Sequence, residues 1–150
     1  MKIQIQEEDF DVSKELELLR ADLPLIGGIN VFVGTVRDEH FGQKIEGMVL
    51  EHYPGMTEKS LANILDQAQA RWQILNATVI HRVGDLRPGE QIVLVAVASS
   101  HRGDAFAACE FIMDYLKTSA PFWKKELTPN GAHWVDARIT DDERLKKWQI

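Results

Sequence analysis

The sequence predicts an α+β fold built on a mostly antiparallel sheet. An almost unbroken apolar run, Ile92 to Ser99, has the length and β-branched content of a central strand buried on both faces. Two stretches, one after Pro54-Gly55 and one after His101-Arg102, repeat their apolar residues at helical spacing. Short turns at Arg87-Pro88-Gly89-Glu90 and Pro129-Asn130-Gly131 favour hairpins, although the αβ alternation also allows parallel pairs. With 150 residues and no repeat, low-complexity stretch or Gly/Ser linker, residues 1–150 are expected to form one domain.

In chain order, Met1 to Gln6 alternates polar and apolar residues as a half-buried strand does. Ser13 to Arg20 is predicted to be a short helix with Ser13 as its N-cap. Pro24 and Gly27-Gly28 break the chain before a β-rich run, Ile29 to Val36. A polar loop, Asp38 to Lys44, leads to a strand over Ile45 to His52, and these two strands could pair as a long-looped hairpin. The helix after Pro54-Gly55 carries Leu61, Ile64, Leu65, Ala68 and Trp72 on one side; Thr57 can cap it and Glu58 suits the positive end of its dipole. Ala77 to Gly84 reads as a strand.

The second long helix spans Gly103 to Thr118, with Ala105, Phe106, Cys109, Ile112, Met113 and Leu116 in one stripe. Phe111 and Tyr115 lie on its far side, which suggests a second packing surface such as a subunit interface. Pro121 ends that helix, and Phe122–Thr128 and Ala132–Ala137 are strands joined at Asn130-Gly131. The charged tail, Asp141 to Lys147, is expected to form a short helix or fray. The resulting order is βαββαββαββ.

Composition excludes several function classes. No apolar run approaches the roughly 18 residues a membrane span needs, and the N-terminus lacks a signal-peptide core, so a cytoplasmic protein with no membrane partner is expected. The single cysteine, Cys109, excludes an internal disulfide or a zinc site built on paired cysteines, and its place in the apolar stripe marks it as core. A net charge of −6 argues against general nucleic-acid binding. There is no Walker loop, dinucleotide fingerprint, Ser nucleophile elbow or His-Glu-x-x-His helix, so no metal or cofactor is called for. If the chain is an enzyme, its nucleophile is expected from outside.

Any positive site in this acidic chain must be local. Arg37 follows the strand that ends at Val36, His101-Arg102 lies between the central strand and a helix, Lys117 is in that helix's last turn, and Lys124-Lys125 follow Pro121-Phe122-Trp123. Cations at element ends can converge on a phosphate or carboxylate, and His101-Arg102 adjoins helix N–H groups that favour anions. Taken singly, each has a plainer reading. Lys117 complements a helix dipole, Arg37 and Arg102 serve as surface ion-pair residues, and His81 beside Arg82 is structural. Lys124 and Lys125 alternate across a strand, so at most one faces a given cleft.

Four ordered segments then resemble one family, the molybdopterin synthase large (catalytic) subunits. They are Gly34-Thr35-Val36-Arg37; Glu51-His52-Tyr53-Pro54-Gly55-Met56-Thr57-Glu58-Lys59; Ser100-His101-Arg102; and Phe111 to Thr118 running on to Ala120-Pro121-Phe122-Trp123-Lys124-Lys125-Glu126. Trp134-Val135-Asp136-Ala137-Arg138 also fits, whereas loop 38–44 and both termini look free to vary. The resemblance covers residues 29–138 and rests on the combination rather than on any single piece.

That resemblance implies an α/β-hammerhead fold with an added small β subdomain. It implies a sulfurtransferase of molybdenum cofactor biosynthesis, making molybdopterin and its dithiolene from cyclic pyranopterin monophosphate. The sulfur would come from the thiocarboxylated Gly-Gly C-terminus of a small ubiquitin-like partner, in a heterotetramer built on a homodimer of the large subunit. By the motif match Lys117 and Lys124 are the catalytic pair. The substrate-binding set is Thr35, Val36, Arg37, His101, Arg102, Lys117, Lys124, Lys125 and Glu126, and Arg138 could reach a neighbouring subunit. Two other readings remain: a non-catalytic scaffold for the ubiquitin-like tail, and a phosphodiesterase using His101 and His81.

Overall fold

The computed structural model describes residues 1–135 and 139–149. Its elements are β1 (Lys2–Gln6), α1 (Val12–Arg20), β2 (Gly28–Thr35), β3 (Glu39–His40), β4 (Gln43–Lys44), β5 (Gly47–His52), α2 (Met56–Arg71), β6 (Asn76–Arg82), β7 (Gly84–Leu86), β8 (Gln91–Ser99), α3 (Arg102–Ser119), β9 (Phe122–Thr128), β10 (Gly131–Val135) and α4 (Ile139–Leu145), with a 3-10 turn over Lys146–Trp148. The fold is mixed α+β, and every strand pair is antiparallel except β1 with β6.

The larger sheet has the order β1-β6-β8-β2, and β8 is the central strand the apolar run predicts. Alternation along β8 divides the core. Val93, Val95 and Val97 pack with Leu61, Ile64, Leu65, Ala108, Ile112 and Leu116 of α2 and α3. Leu94, Ala96 and Ala98 pack on the other face with Phe10 and Leu19 around α1. The second sheet, β10-β9-β5-β7, joins the first through a smaller cluster of Val36, Met48, Leu50 and Leu86, with Ile92 against it. Because β2 is the outermost strand of its sheet, its outer edge carries no partner strand among the described residues.

Several local expectations are corrected. The first helix is capped by Asp11, whose carboxylate accepts from the Lys14 N–H, not by Ser13. Gly55, at φ +86, holds the N-cap of α2. Thr57 is wholly buried and ties its hydroxyl back to the Tyr53 backbone instead. The strands over Ile29–Val36 and Ile45–His52 do not form a hairpin. β2 pairs with the nine-residue apolar strand β8, whereas β5 pairs with β9 and β7 in the second sheet. That loop is itself ordered into the β3–β4 ribbon, turning at Phe41 and Gly42, both with positive φ.

The two faces of α3 also differ from expectation. Phe106 is 58% exposed, whereas Phe111 is fully buried within the chain rather than free for another subunit. Phe111 lies edge-on to Trp72 at 5.3 Å and Trp148 at 5.5 Å, with the Arg71 guanidinium over its ring. The C-terminal segment is thereby docked onto α3. Trp148 Nε1 donates to Asp114 at 2.8 Å, and Arg144 and Lys147 pair with Glu110 and Asp114. Cys109 is buried, and burial pushes its thiol up to about 11, an inert core residue as the stripe predicts. Among the described residues no helix is long and apolar enough to cross a membrane, and no three His, Cys, Asp or Glu residues are grouped as metal ligands would be.

Candidate functional site

The predicted basic residues fall into two groups at opposite ends of the larger sheet. Gly28 pairs with Ser99 at one end of the β2–β8 ladder and Thr35 with Gln91 at the other. Eight residues of β2 span about 25 Å. His101 and Arg102 stand at the Ser99 end, where α3 begins; both are exposed, with His101 at the helix N-cap. Gly27 makes this corner possible, since a Cβ there would lie 2.0 Å from the Ser100 carbonyl oxygen.

The other group gathers at the far end. α3 covers about 27 Å over its 18 residues, and Phe122, three residues past its end, stacks on His81, the partner of Val93, so the last turn with Lys117 lies towards that end of β8. Arg37 is exposed between two anchored positions. The Val36 N–H donates to the Glu90 carbonyl at 2.9 Å and the Val36 carbonyl accepts from Gly89 at 2.8 Å, while the Asp38 carbonyl accepts from Ile45. Both backbone groups of Val36 are thus already engaged; its side chain is buried, and Thr35 is exposed.

Strand register sets the lysines of β9. Phe122, Lys124 and Glu126 share one face of the sheet, opposite His52, Leu50 and Met48 of β5. Lys125 lies on the other face, its ammonium 4.6 Å from the Trp134 ring centroid. Glu126 is buried and accepts from His40 Nδ1 at 2.7 Å, so this carboxylate holds the β3–β4 ribbon against β9. Arg138 lies outside the described residues.

Beneath these cations is a floor that the sequence reading left as structure. His81 shares its face of β6 with Ala77 and Val79 and is buried. Its ring stacks on Phe122, centroids 3.9 Å apart and planes 17° from parallel. Nδ1 lies 2.8 Å from the Arg82 carbonyl, which can only accept, so Nδ1 carries the proton. Burial holds the imidazole down to about 4, despite the Arg82 carbonyl, and the nearby Lys117 and His52 push the same way. His52, directly across from Phe122, has a buried Nδ1 with no hydrogen bond, 3.8 Å from Glu58. The signal for this floor was the parity of Ala77, Val79 and His81, which sends an imidazole inward. Arg82, on the opposite face, is structural: it donates to the Glu7 and Gln91 carbonyls.

The arrangement defines an α+β protein with basic side chains set near the junction of two sheets, over a floor of stacked His81 and Phe122. Comparison with known proteins identifies it further. Residues 5–119 match the family described as MoaE protein. The molybdopterin synthase catalytic subunit of Ralstonia nicotianae is 64% identical over 99% of this chain and 84% of its own length, and that of Vibrio cholerae is 54% identical over 99% and 98%. Among solved structures, the molybdopterin biosynthesis MoaE protein of Burkholderia ambifaria superposes with a TM-score of 0.86 at 56% identity, covering 99% of this chain and 98% of that one. The molybdopterin synthase of Staphylococcus aureus does so at 0.82 and 34%, covering 88% and 95%. This chain belongs to the MoaE family of molybdopterin synthase catalytic subunits.

Proposed function

We propose that the chain transfers sulfur from the thiocarboxylated Gly-Gly C-terminus of a small ubiquitin-like subunit to cyclic pyranopterin monophosphate, giving the dithiolene of molybdopterin. The observation that carries this reading is that Lys124 shares a face of β9 with Phe122, which stacks on His81, while Arg37 follows the end of β2 paired with the start of β8. An anionic tail and an anionic phosphate repel each other in a low-dielectric cleft, and several fixed cations offset that repulsion. The thiocarboxylate is itself the nucleophile: its sulfur adds to a pyranopterin carbon. Water then cleaves the acyl–sulfur bond and returns the tail as a carboxylate, and two such tails supply the two sulfurs of the dithiolene. Lys117 and Lys124 move protons as the cyclic phosphate opens and sulfur adds, while Arg37 holds the phosphate with its planar fork.

His101 and Arg102 are too far along β2 and β8 to reach the same substrate within one chain. A second copy brings them in. Two chains pairing antiparallel through the free edges of β2, across a two-fold axis, set Thr35–Arg37 of one beside Gly28, and hence His101–Arg102, of the other. The exposed Phe32 on that strand, 41% accessible, supplies apolar area to such a contact. The small subunits complete a heterotetramer. A second kind of subunit has a parallel in a structure of the same fold: a Helicobacter pylori structure, 23% identical, is described as a protein-protein complex of subunits 1 and 2 of molybdopterin-converting factor.

The test is an incubation of the purified chain with thiocarboxylated partner and cyclic pyranopterin monophosphate, read by mass for dithiolene product. Conversion is expected, and Lys117→Ala or Lys124→Ala should lower it about 10²–10⁴-fold, the usual worth of a positioned acid or base, without loss of partner binding. A complex that forms and yields no pterin product would instead support a scaffold. Hydrolysis of a simple cyclic phosphate without the partner would favour a phosphodiesterase.

A further inference from the structure

We propose that His40 is a positioning residue for Arg37: with Glu126 it clasps the β3–β4 ribbon to β9 and so fixes the backbone from which Arg37 reaches the substrate. The inference rests on the reading of Arg37 as the group that holds the substrate phosphate. His40 Nδ1 lies 2.7 Å from the Glu126 carboxylate, and the two side chains are only 12% and 11% exposed. A carboxylate can only accept, so Nδ1 carries the proton and donates. A hydrogen bond to a charged acceptor is among the stronger ones, and opening it would leave a largely buried carboxylate without its donor.

Backbone contacts carry this hold three residues back to Arg37. On its N-terminal side Val36 is tied to Glu90 and Gly89. On its C-terminal side the Asp38 carbonyl accepts from Ile45 at 2.8 Å, Glu39 pairs with Lys44, and His40 pairs with Gln43. The Glu46 N–H then donates to the Leu127 carbonyl at 2.7 Å, beside Glu126 on β9. β9 thus holds the ribbon by its backbone at the base and by Glu126 near the tip. Strands of two residues cannot keep an orientation by their own ladder, which makes the second hold necessary. The turn between them places Phe41, a non-glycine residue, at φ +53, a conformation that persists only where its surroundings impose it.

The same contact gives Glu126 a role that does not require it to touch the substrate. Glu126 faces the same side of β9 as Lys124, where a free carboxylate would repel an anionic phosphate. Engaged by His40, it anchors the ribbon instead. Arg37 is exposed, and its planar fork grips a phosphate bidentately only from a fixed backbone.

The kinetic test uses the full chain assembled with its thiocarboxylated partner. Glu126→Ala and His40→Ala should each raise KM for cyclic pyranopterin monophosphate about 10–10²-fold while kcat changes much less, the pattern of binding lost equally from ground and transition states. His40→Asn, whose amide nitrogen takes the place of Nδ1, should keep most of the affinity. In an Arg37→Ala background neither alanine substitution should raise KM further. Independent losses there would overturn the proposal. So would a loss in Glu126→Ala far larger than in His40→Ala, the mark of a carboxylate that meets substrate itself.

Two measurements need no turnover. Chymotryptic cleavage of the full chain after Phe41, which is 87% exposed, should quicken about tenfold in Glu126→Ala and stay unchanged at the other aromatic residues, as one charge-assisted hydrogen bond against local opening implies. An unchanged rate at Phe41 overturns the clasp. Inorganic phosphate, titrated against the Arg37 Nε resonance in nitrogen-15 spectra, should bind Glu126→Ala about tenfold more weakly than wild type, and equal affinity overturns the effect on Arg37. Failure of the wild-type complex to make dithiolene would count against sulfur transfer, and these two results would still decide the clasp.

Discussion

If His101 and Arg102 act on a substrate held by Lys117 and Lys124 of another copy, two inactive chains should restore each other. The perturbation is a pair of variants, Lys117→Ala and Arg102→Ala, refolded together with distinguishable tags. Alone, the lysine variant should lose about 10²–10⁴-fold and the arginine variant about 10–10²-fold, from a general acid or base and a charge-assisted hydrogen bond respectively. The ends of the β2–β8 ladder are too far apart for one chain to supply both groups to one site. In a mixed dimer, therefore, one site carries both defects and the other carries neither. Random pairing makes half the dimers mixed, so about one quarter of all sites are intact and the mixture should recover about a quarter of wild-type dithiolene formation. A site built within one chain leaves a defect everywhere, and the mixture then stays at the mean of the two variants, at most about one twentieth. The assay is product mass per site after equal mixing. Activity no higher than that mean would refute the shared site and the argument from distance behind it.

Two further outcomes test the fold. Phe111→Ala should destabilise the chain by about 3–5 kcal/mol in urea unfolding, because the ring is fully buried between Trp72, Trp148 and Tyr115 and leaves a cavity. A cost below about 1 kcal/mol would mean that the docked C-terminal turn is not part of the core. His81 should make stability fall with acidification. The unfolded chain takes up a proton as pH drops through 6.5 while the folded chain, with its imidazole held at about 4, does not, so the stabilisation is complete above 6.5 and lost progressively down to about 4. Between pH 7 and pH 5 the loss is about 2 kcal/mol, and His81→Gln should remove that part of the slope. An unchanged slope in the variant would place the titration elsewhere.

Most of the secondary structure was legible because its signals are local. The apolar run of β8, the stripes of α2 and α3, and the turns at Pro88-Gly89 and Asn130-Gly131 each specify an element from neighbours in sequence. The errors arose where a distant partner decided. β2 and β5 look like a hairpin in sequence, yet they lie in different sheets, β2 beside the buried central strand β8 and β5 between β9 and β7. Phe111 looked free because Trp148, the residue that covers it, lies 37 positions later in the chain.

The candidate site divides in the same way. By itself the sequence determined the ordered motifs, the local basic residues in an acidic chain, and the lack of a familiar nucleophile, because residue types and their spacing are properties of the chain. Only the tertiary structure decided which cations share a surface. Strand length and helix direction send Arg37, Lys117 and Lys124 to one end of the larger sheet and His101 and Arg102 to the other. The pleat then turns Lys124 inward and Lys125 out to Trp134, commits Glu126 to His40, and lays His81 on Phe122 as the floor. These are contacts between residues far apart in sequence, fixed by register and packing, and no local pattern carries them.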